Sequence, residues 1–481
     1  MLKVLKFLQF LIATCCLQVL VFISQAKAEP FDLKQVIVPV SNSLGLAFPG
    51  NDASNYHYVQ KAGIGVVRLS VSWKHVQSQS GRFNWDGLDS RIITLQKLGL
   101  EPFLTFESNA KWATTKASQV VGNALPKKNA QWTRFIEAVV DRYNHDGKND
   151  APGLKQPVIY YQVANEWISN KNRSGGWASS TQNLVNYINS AYETVKKTDP
   201  NAVFVLGGLA AFNLDVMLLA EGIQILRAQK KVKKEHEFDF VLQRWSENSS
   251  TKYTPAEAKA PKVVNLINNH VRTVLKKSHY DMADVHLYGP VNRDGPRINL
   301  IAHEAELSVE KIISTECGGP SLDYNDSYKP EDHFYAVLHR NLNVLSQGSK
   351  FCLWFGLGEA MVTTWGNRKV PLFDKNRKPK PGYYGYKFLA YLFNGQDIKV
   401  QSLGDKLKHG YKISYPNRKN AAPIFVGDYK AQNFLKKQAG LKKFDALCIN
   451  NVAKGKGIIR RKINTIECTG GVVAISANLP Y

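Results

Sequence analysis

The sequence predicts an α/β protein: a (β/α)8 TIM barrel followed by a small C-terminal all-β, sandwich-like domain. Three observations predict this fold. Between residues 36 and 394, strand-like apolar runs alternate with helix-like runs, which is the order of a parallel barrel. From residue 396 the pattern changes to short strands separated by turns and lysines. The length of 481 residues suits a barrel with a smaller module.

The eight barrel strands are predicted from short apolar runs, which are typical of buried parallel strands. They are residues 43–48, 66–71, 102–106, 158–164, 202–206, 282–288, 312–315 and 351–355. Six intervening helices are predicted from apolar periodicity and end signals such as Gly99 and Pro200, at residues 52–62, 86–98, 131–143, 181–198, 331–345 and 383–393. Strands five and six lie too far apart for one helix. We therefore expect an insertion at about 225–280 that shapes the substrate cleft.

The predicted domains are a signal peptide at 1–28, the barrel at 29–395 and the C-terminal β domain at 396–481. Two lysines, an apolar run and the small-x-small site Ala26-Lys27-Ala28 predict the signal peptide. The mature chain is thus expected to be secreted or periplasmic, with no transmembrane segment after cleavage. A lipoprotein attached through Cys15 or Cys16 is the alternative.

Export permits a disulfide, and Cys448 with Cys468 is the predicted pair because both lie in neighbouring strand-like runs of the C-terminal domain. Cys317 and Cys352 fall on barrel strands seven and eight, where buried thiols are expected. The sequence has no CxxC or HxxxH spacing, so no metal site is predicted. The formal charge of +24 predicts either binding of acidic partners or a surface whose basic residues only keep the exported protein soluble.

Two carboxylates at predicted strand ends indicate the chemistry. Glu166 closes the strand-four run, and Glu316 closes the strand-seven run. All strand ends of a barrel meet on one face, so the two side chains can oppose each other across one cleft. Opposed carboxyl groups are what glycoside hydrolysis requires. Alone, Asn165-Glu166 could equally be a helix cap.

Four further residues fit such a cleft. Arg68 lies inside strand two and would be an unpaired charge unless it met a carboxylate, which we expect to be Glu316. Asn165 can offer its amide to a sugar hydroxyl. His286 and Tyr288 alternate with apolar residues and so point to one side; Tyr288 could bond Glu316, and His286 could bind sugar or be a core histidine.

Three tryptophans are candidates for stacking on sugar rings, although packing is the commoner role of each. They are Trp354 on strand eight, and Trp112 and Trp167 in the loops after strands three and four. Glu107, just after strand three, is a third carboxylate near the cleft.

Several of these motifs together resemble the clan A retaining glycoside hydrolases, nearest to families 39 and 5. The likeness spans about residues 40–395, through the runs 67–73, 81–89 and 373–381. Asn165-Glu166 is similar to the acid/base motif of that clan, Thr315-Glu316 to its nucleophile, and His286-Leu287-Tyr288 to its strand-six pair. The resemblance implies double displacement with net retention, in which Glu316 attacks and Glu166 moves the proton. Trp167-Ile168 departs from the clan, where many members have proline.

The expected function is therefore that of an exported retaining β-glycosidase or endo-β-glycanase. Two carboxyl groups suffice for this reaction, so no cofactor is expected. The expected partner is a β-linked carbohydrate, and the positive charge of the chain would suit a carbohydrate with acidic groups. The chain is expected to be monomeric and to bind no nucleic acid. The alternatives are a non-catalytic glycan-binding barrel and a polyanion-binding protein that acts through residues 396–481.

Overall fold

The computed structural model describes residues 28–229, 242–244, 251–319, 329–359, 370–404, 410–466 and 468–480. Residues 1–27 of the predicted signal peptide lie outside this part. The described strands, numbered along the chain, are β1 (Glu29–Asp32), β2 (Ser41–Ala47), β3 (Ile64–Ser72), β4 (Glu101–Glu107), β5 (Tyr160–Val163), β6 (Val203–Leu209), β7 (Leu242–Arg244), β8 (Thr251–Tyr253), β9 (Met282–Val285), β10 (Ile312–Cys317), β11 (Cys352–Phe355), β12 (Lys399–Ser402), β13 (Tyr411–Ser414), β14 (Ile424–Asp428), β15 (Phe444–Asn451), β16 (Lys456–Ile463) and β17 (Val472–Ser476).

The α-helices fall mainly between the barrel strands. Their bounds are Tyr56–Lys61, Trp73–Val76, Asp86–Lys97, Asn129–Tyr143, Thr181–Thr198, Ala211–Met217, Ile223–Ala228, Pro255–Ala258, Pro261–Leu266, Arg272–Lys277, Asp294–Glu304, Pro330–Ser346, Pro381–Phe393 and Gln432–Ala439. Two π-helical turns, Leu218–Gly222 and Ile267–Val271, join neighbouring helices. Among the described residues, none of these helices is both long enough and apolar enough to cross a bilayer.

Eight parallel strands close into a barrel in the order β2-β3-β4-β5-β6-β9-β10-β11, which confirms the predicted fold class. Side chains alternate between the interior and the helix layer, because successive residues of a strand point to opposite faces. In β3, Val66 joins the interior cluster, whereas Val67 and Leu69 pack against the helices. The part of the interior away from the carboxyl ends of the strands is filled by an apolar cluster that includes Phe103 and Ile313.

The C-terminal β domain is one antiparallel sheet with the order β1-β16-β15-β17-β14-β13-β12. Strand β1 pairs with β16, although residues 29–395 were predicted to form the barrel. The first four residues of that range therefore belong to the sheet, because their unpaired backbone groups complete its edge. Helix Gln432–Ala439, which was not predicted, packs Leu435 against one face of the sheet. Cys448 and Cys468 form a disulfide there.

The predicted insertion at 225–280 is described only in part, since residues 230–241 and 245–250 lie outside the described residues. Its described portion includes the hairpin of β7 and β8 and the helices between residues 255 and 277. The chain enters the insertion through helix Ala211–Met217, which follows β6 directly.

Candidate active site

The barrel interior changes from apolar to polar toward the carboxyl ends of the strands. Above the apolar cluster lies a chain of buried hydrogen bonds that runs through side chains of β3, β4, β5, β9 and β10. Arg68 Nε donates to Thr105 Oγ1 at 2.8 Å, and that hydroxyl donates to Gln162 Oε1 at 2.8 Å. Gln162 Nε2 donates to Asp284 Oδ2 at 2.8 Å. This layer forms the floor of the cleft.

Glu316 reaches the cleft because β10 contains an irregularity. Ser314 pairs with Cys352, and Cys317 pairs with Trp354, so three residue steps of β10 oppose two of β11. Such a bulge lets Thr315 and Glu316 both face inward, although strict alternation would send one of them to the helix layer. Glu316 is thereby presented at the rim of the floor.

Three donors surround the Glu316 carboxylate. Arg68 Nη1 donates to Oε1 at 2.7 Å, and Tyr288 OH donates to Oε2 at 3.3 Å. His286 Nδ1 lies 3.5 Å from Oε2. Arg68 also donates from Nη2 to Asn165 Oδ1 at 2.9 Å, so one guanidinium contacts both the residue before Glu166 and Glu316 itself. The contacts of Arg68 and Tyr288 are those that the sequence predicted.

Glu166 lies three residues beyond β5, in a tight turn. Its φ is +46°, and that of Ala164 is +68°, a left-handed conformation that costs free energy in residues other than glycine. The Glu166 N–H donates to Gly208 O at 2.9 Å and anchors the turn to β6. Asn172 Nδ2 donates to Oε2 at 2.6 Å, and His286 Nδ1 lies 2.9 Å from Oε1. Asn172 was not predicted, because no sequence period connects this loop residue to Glu166.

His286 is fully buried between three carboxylates. Its Nδ1 faces Glu166 and Glu316, and its Nε2 lies 3.5 Å from Asp284 Oδ2. Burial lowers the pKa of His286, but the charges of Glu316 and Asp284 outweigh it and raise the pKa to about 10. The ring is therefore an imidazolium that offers N–H groups to the acids on both sides.

Asp284 was missed by the sequence analysis. Burial raises its pKa, but the charge of His286 and the Thr315 hydroxyl lower it on balance, so the carboxylate stays ionised. It also accepts from the Thr315 N–H at 2.7 Å. The alternation that placed His286 and Tyr288 on one side of the strand places Asp284 on that side too, so the signal was present in the sequence.

The remaining predicted substrate-binding residues have mixed outcomes. The Asn165 amide is committed within the protein, because Oδ1 accepts from Arg68 and Nδ2 donates to Ser174 O at 3.2 Å. Trp112 is half-buried and donates to Gln77 O at 3.0 Å. It keeps a partly exposed ring.

Trp167 and Trp354 do not offer ring faces to a sugar, which corrects the prediction for both. Each is fully buried and donates its indole N–H to a backbone carbonyl, Gly207 O and Val370 O respectively. Trp354 points to the helix layer because the alternation along β11 turns Phe355 inward instead.

An aromatic surface at the cleft was missed by the sequence analysis. Phe355 stacks on Phe48 with ring centroids 5.9 Å apart, and its edge meets Tyr288. Phe48 is 43% exposed and directly follows β2, so it lies at the carboxyl end of barrel strand one. An exposed aromatic ring at this end of the barrel suits the C–H face of a sugar.

A buried ion cluster supports the loop that carries Tyr288. Arg297 Nη1 donates to Tyr288 O at 2.6 Å, and Arg340 donates to Gly289 O. Arg297 also makes two bonds to Asp215, at 2.8 and 2.7 Å, and Arg340 pairs with Asp294 at 2.6 Å. The loop after β9 is thus tied to the helix that leads into the insertion.

Glu166, His286 and Glu316 form the one described group of three side chains that could ligate a metal, with candidate atoms within 4.8 Å of one another. The guanidinium of Arg68 and the imidazolium of His286 both lie against this group. A divalent cation would face both positive charges, and this repulsion disfavours a metal there.

Comparison with known proteins relates the chain to glycoside hydrolases. The family model described as cellulase (glycosyl hydrolase family 5) matches residues 25–327, more than half of the chain. No curated protein sequence matches the chain.

Solved structures share the fold at low identity. A family 39 glycoside hydrolase from Bacteroides cellulosilyticus WH2 is 14% identical, with a TM-score of 0.51 over 94% of this chain and 82% of its own. A monomeric beta-xylosidase from Caulobacter crescentus CB15 is 11% identical, with a TM-score of 0.53 over 92% and 98%. A glucosidase from Croceicoccus marinus is 10% identical, with a TM-score of 0.52 over 94% and 98%.

Proposed function

Because the chain belongs to the cellulase family, glycosyl hydrolase family 5, and is an O-glycosyl hydrolase acting on β-glycosides, we propose that it cleaves its carbohydrate substrate by double displacement with retention. Glu316 is the nucleophile and Glu166 is the acid/base. The substrate is a poly- or oligosaccharide, and the two carboxyl groups carry the reaction without a cofactor.

The spacing of the two carboxylates is the observation that carries this proposal. One oxygen of Glu166 and one of Glu316 lie within 4.8 Å of each other. Retaining enzymes hold their carboxyl groups about 5–5.5 Å apart, whereas inverting enzymes need about 6.5–9.5 Å to admit a water between acid and base. The short distance supports direct attack by a carboxylate.

In the first step, a Glu316 oxygen attacks the anomeric carbon and forms a glycosyl ester. Arg68 and Tyr288 hold the carboxylate in place for this attack. Glu166 gives its proton to the glycosidic oxygen as the bond to the anomeric carbon breaks, and the leaving sugar departs as an alcohol.

In the second step, Glu166 takes a proton from water, and the oxygen of that water attacks the anomeric carbon. The ester to Glu316 breaks and its electron pair returns to the carboxylate. The guanidinium of Arg68 then pairs with the negative charge of Glu316. His286 and Asn172 hold Glu166 in position through both steps. Arg68 and His286 place two positive charges beside the carboxylates of Glu316 and Asp284.

The test is the stereochemistry of the first product together with three variants. Proton NMR of a fresh digest should show the β anomer first, and a 2-deoxy-2-fluoro glycoside should label the peptide that contains Glu316. Glu316→Gln should lose at least about 10³-fold in kcat/KM, and Glu166→Gln about 10²–10⁴-fold. Glu166→Ala with azide should release a β-glycosyl azide.

The matched control is Glu107→Gln, which alters a third carboxylate near the cleft that accepts from Asn109 Nδ2 at 2.9 Å. It should stay within about tenfold of the wild type, which is less than the loss expected for either catalytic carboxyl group. An α anomer as the first product, or a label on another residue, would overturn the assignment.

We also propose that the chain is exported by cleavage after Ala28 and acts in a secreted or periplasmic compartment. The disulfide between Cys448 and Cys468 supports this, since such bonds persist in oxidising compartments. N-terminal sequencing of the mature protein tests it: a start at Glu29 is expected, and protein retained in the cytoplasm with an intact N-terminus would refute it.

A further inference from the structure

The positive charge of the chain is concentrated in the C-terminal domain. Residues 396–481 hold 16 lysines and arginines but only five acids, a net +11 out of +24 in less than a fifth of the length. Residues 429–444 contain five lysines and no acid, and residues 451–463 contain five basic residues and no acid. Charge that only kept the protein soluble would be spread more evenly.

The fold brings part of both segments together on the outer layer of the molecule. Helix Gln432–Ala439 covers the sheet face that carries Phe425, Val473 and Ile475, while the opposite face belongs to the main core cluster shared with the barrel. Phe444 pairs with Ile463, which sets the end of one basic segment beside the end of the other. Lys436 Nζ donates to Asn464 O across the same junction.

We define the basic face by the lysines at this junction and along the helix. Apart from the half-buried Lys436, its members are exposed; they are Lys430, Lys436, Lys437, Lys442, Lys443 and Lys462. Two acids lie next to these lysines: Asp428 accepts from the Lys430 N–H at 2.9 Å, and Asp445 is buried and binds Arg461 at 3.1 Å and the Lys462 N–H at 3.0 Å. Two acids beside six lysines leave the face with an excess of positive charge.

The side chains exposed on this face indicate which class of polyanion it can bind. The large apolar side chains that are exposed in the described part of the chain are Ile37, Phe48, Val120 and Leu266, and all lie outside residues 396–480. The face thus offers charge without the apolar groups that insert into a membrane or the exposed rings that stack on bases. A hydrophilic chain with regularly spaced carboxylates needs only the lysines.

We propose that the basic face binds an acidic polysaccharide, a glycan with uronic-acid carboxylates, at a site separate from the catalytic cleft. The proposal relies on the O-glycosyl hydrolase class for the choice of a glycan among polyanions. Binding there would hold the enzyme on a carboxylated matrix while the cleft acts on β-glycosidic bonds.

The test uses the mature full-length protein and affinity electrophoresis in gels that contain polygalacturonate, an α-linked acidic polymer. Fully methyl-esterified polygalacturonate has the same backbone without the charge and is the control polymer. We expect retention on the acidic polymer only, weakening steeply between about 50 and 200 mM salt, because screening reduces attraction between exposed charges.

The variant is Lys437→Glu/Lys442→Glu/Lys443→Glu, and its matched control is Lys97→Glu/Lys148→Glu/Lys197→Glu on exposed barrel positions with the same change in charge. We expect the first to lose at least about tenfold in affinity and the second to lose less than about threefold. Equal losses would show that overall charge drives binding and would overturn the proposal, as would binding to anionic vesicles or DNA but not to polygalacturonate.

Catalysis separates this proposal from the proposed function. Both charge variants should hydrolyse a small aryl β-glycoside as the wild type does, which also shows that they are folded. Glu316→Gln should lose turnover and keep its retention on polygalacturonate. Loss of retention in Glu316→Gln would place binding in the cleft and refute a separate site.

Discussion

Arg68→Met is the substitution that tests the site geometry most directly. Arg68 is nearly buried and donates to Glu316 at 2.7 Å, Asn165 at 2.9 Å and Thr105 at 2.8 Å. Methionine keeps most of the volume but removes all three bonds. In the proposed mechanism, the bond to Glu316 fixes one carboxylate oxygen and so orients the other for attack.

The expected magnitude follows from that bond. A hydrogen bond to a charged group contributes about 1.5–3 kcal/mol, and each 1.4 kcal/mol is tenfold in a population. The fraction of molecules with Glu316 in the attacking orientation, and with it kcat/KM, should fall by roughly 10- to 150-fold. Arg68→Lys should lose about tenfold, because one ammonium keeps the charge but cannot reach three acceptors at once.

The assay is kcat/KM on the aryl β-glycoside that the wild type hydrolyses best, with thermal melts to verify folding. The control is Arg142→Met, which removes a guanidinium bound to Asp89 and packed over Trp85 on the outside of the barrel. It should lower stability and leave kcat/KM unchanged. A folded Arg68→Met protein with kcat/KM within about twofold of the wild type would refute the reasoning.

Four further outcomes are expected. The pKa of His286 is raised to about 10, so the stability that the charged ring gives the fold is complete below about pH 6.5 and is lost toward pH 10. Melting temperatures should fall over that range, and less so in His286→Gln. A flat wild-type profile would contradict this. Phe48→Ala should raise KM for an oligosaccharide about three- to tenfold with kcat nearly unchanged; a fall in kcat alone would speak against a stacking role. Asp215→Asn breaks a fully buried pair with Arg297 and should lower the free energy of unfolding in urea by about 3–5 kcal/mol. A loss below about 1 kcal/mol would show that this ion pair does not stabilise the fold. Cys448→Ser opens a loop of sequence separation 20 and should cost about 3 kcal/mol; equal stability of wild type and variant without reductant would argue against the bond.

The sequence determined the features that depend on local periodicity. Alternation along strand six placed His286 and Tyr288 on one side, and the charge of Arg68 within strand two predicted a carboxylate partner. The abrupt polar ends of two apolar runs marked Glu166 and Glu316. Barrel closure then follows from eight apolar strands that alternate with helical segments, and a closed barrel brings strand ends together at its carboxyl face. Residues 97 to 248 positions apart along the chain could thus be assigned to one cleft before any distance was known.

Only the tertiary structure decided which side chains touch. The bulge in β10 that turns Glu316 inward, the turn that brings Asn172 to Glu166, and the burial of Trp354 depend on how neighbouring strands and loops pack. The pairing of β1 with β16 and the junction of the two basic segments likewise join parts of the chain that share no period. A sequence period reports the face on which a residue lies, whereas a contact requires the relative position of two faces, which packing sets.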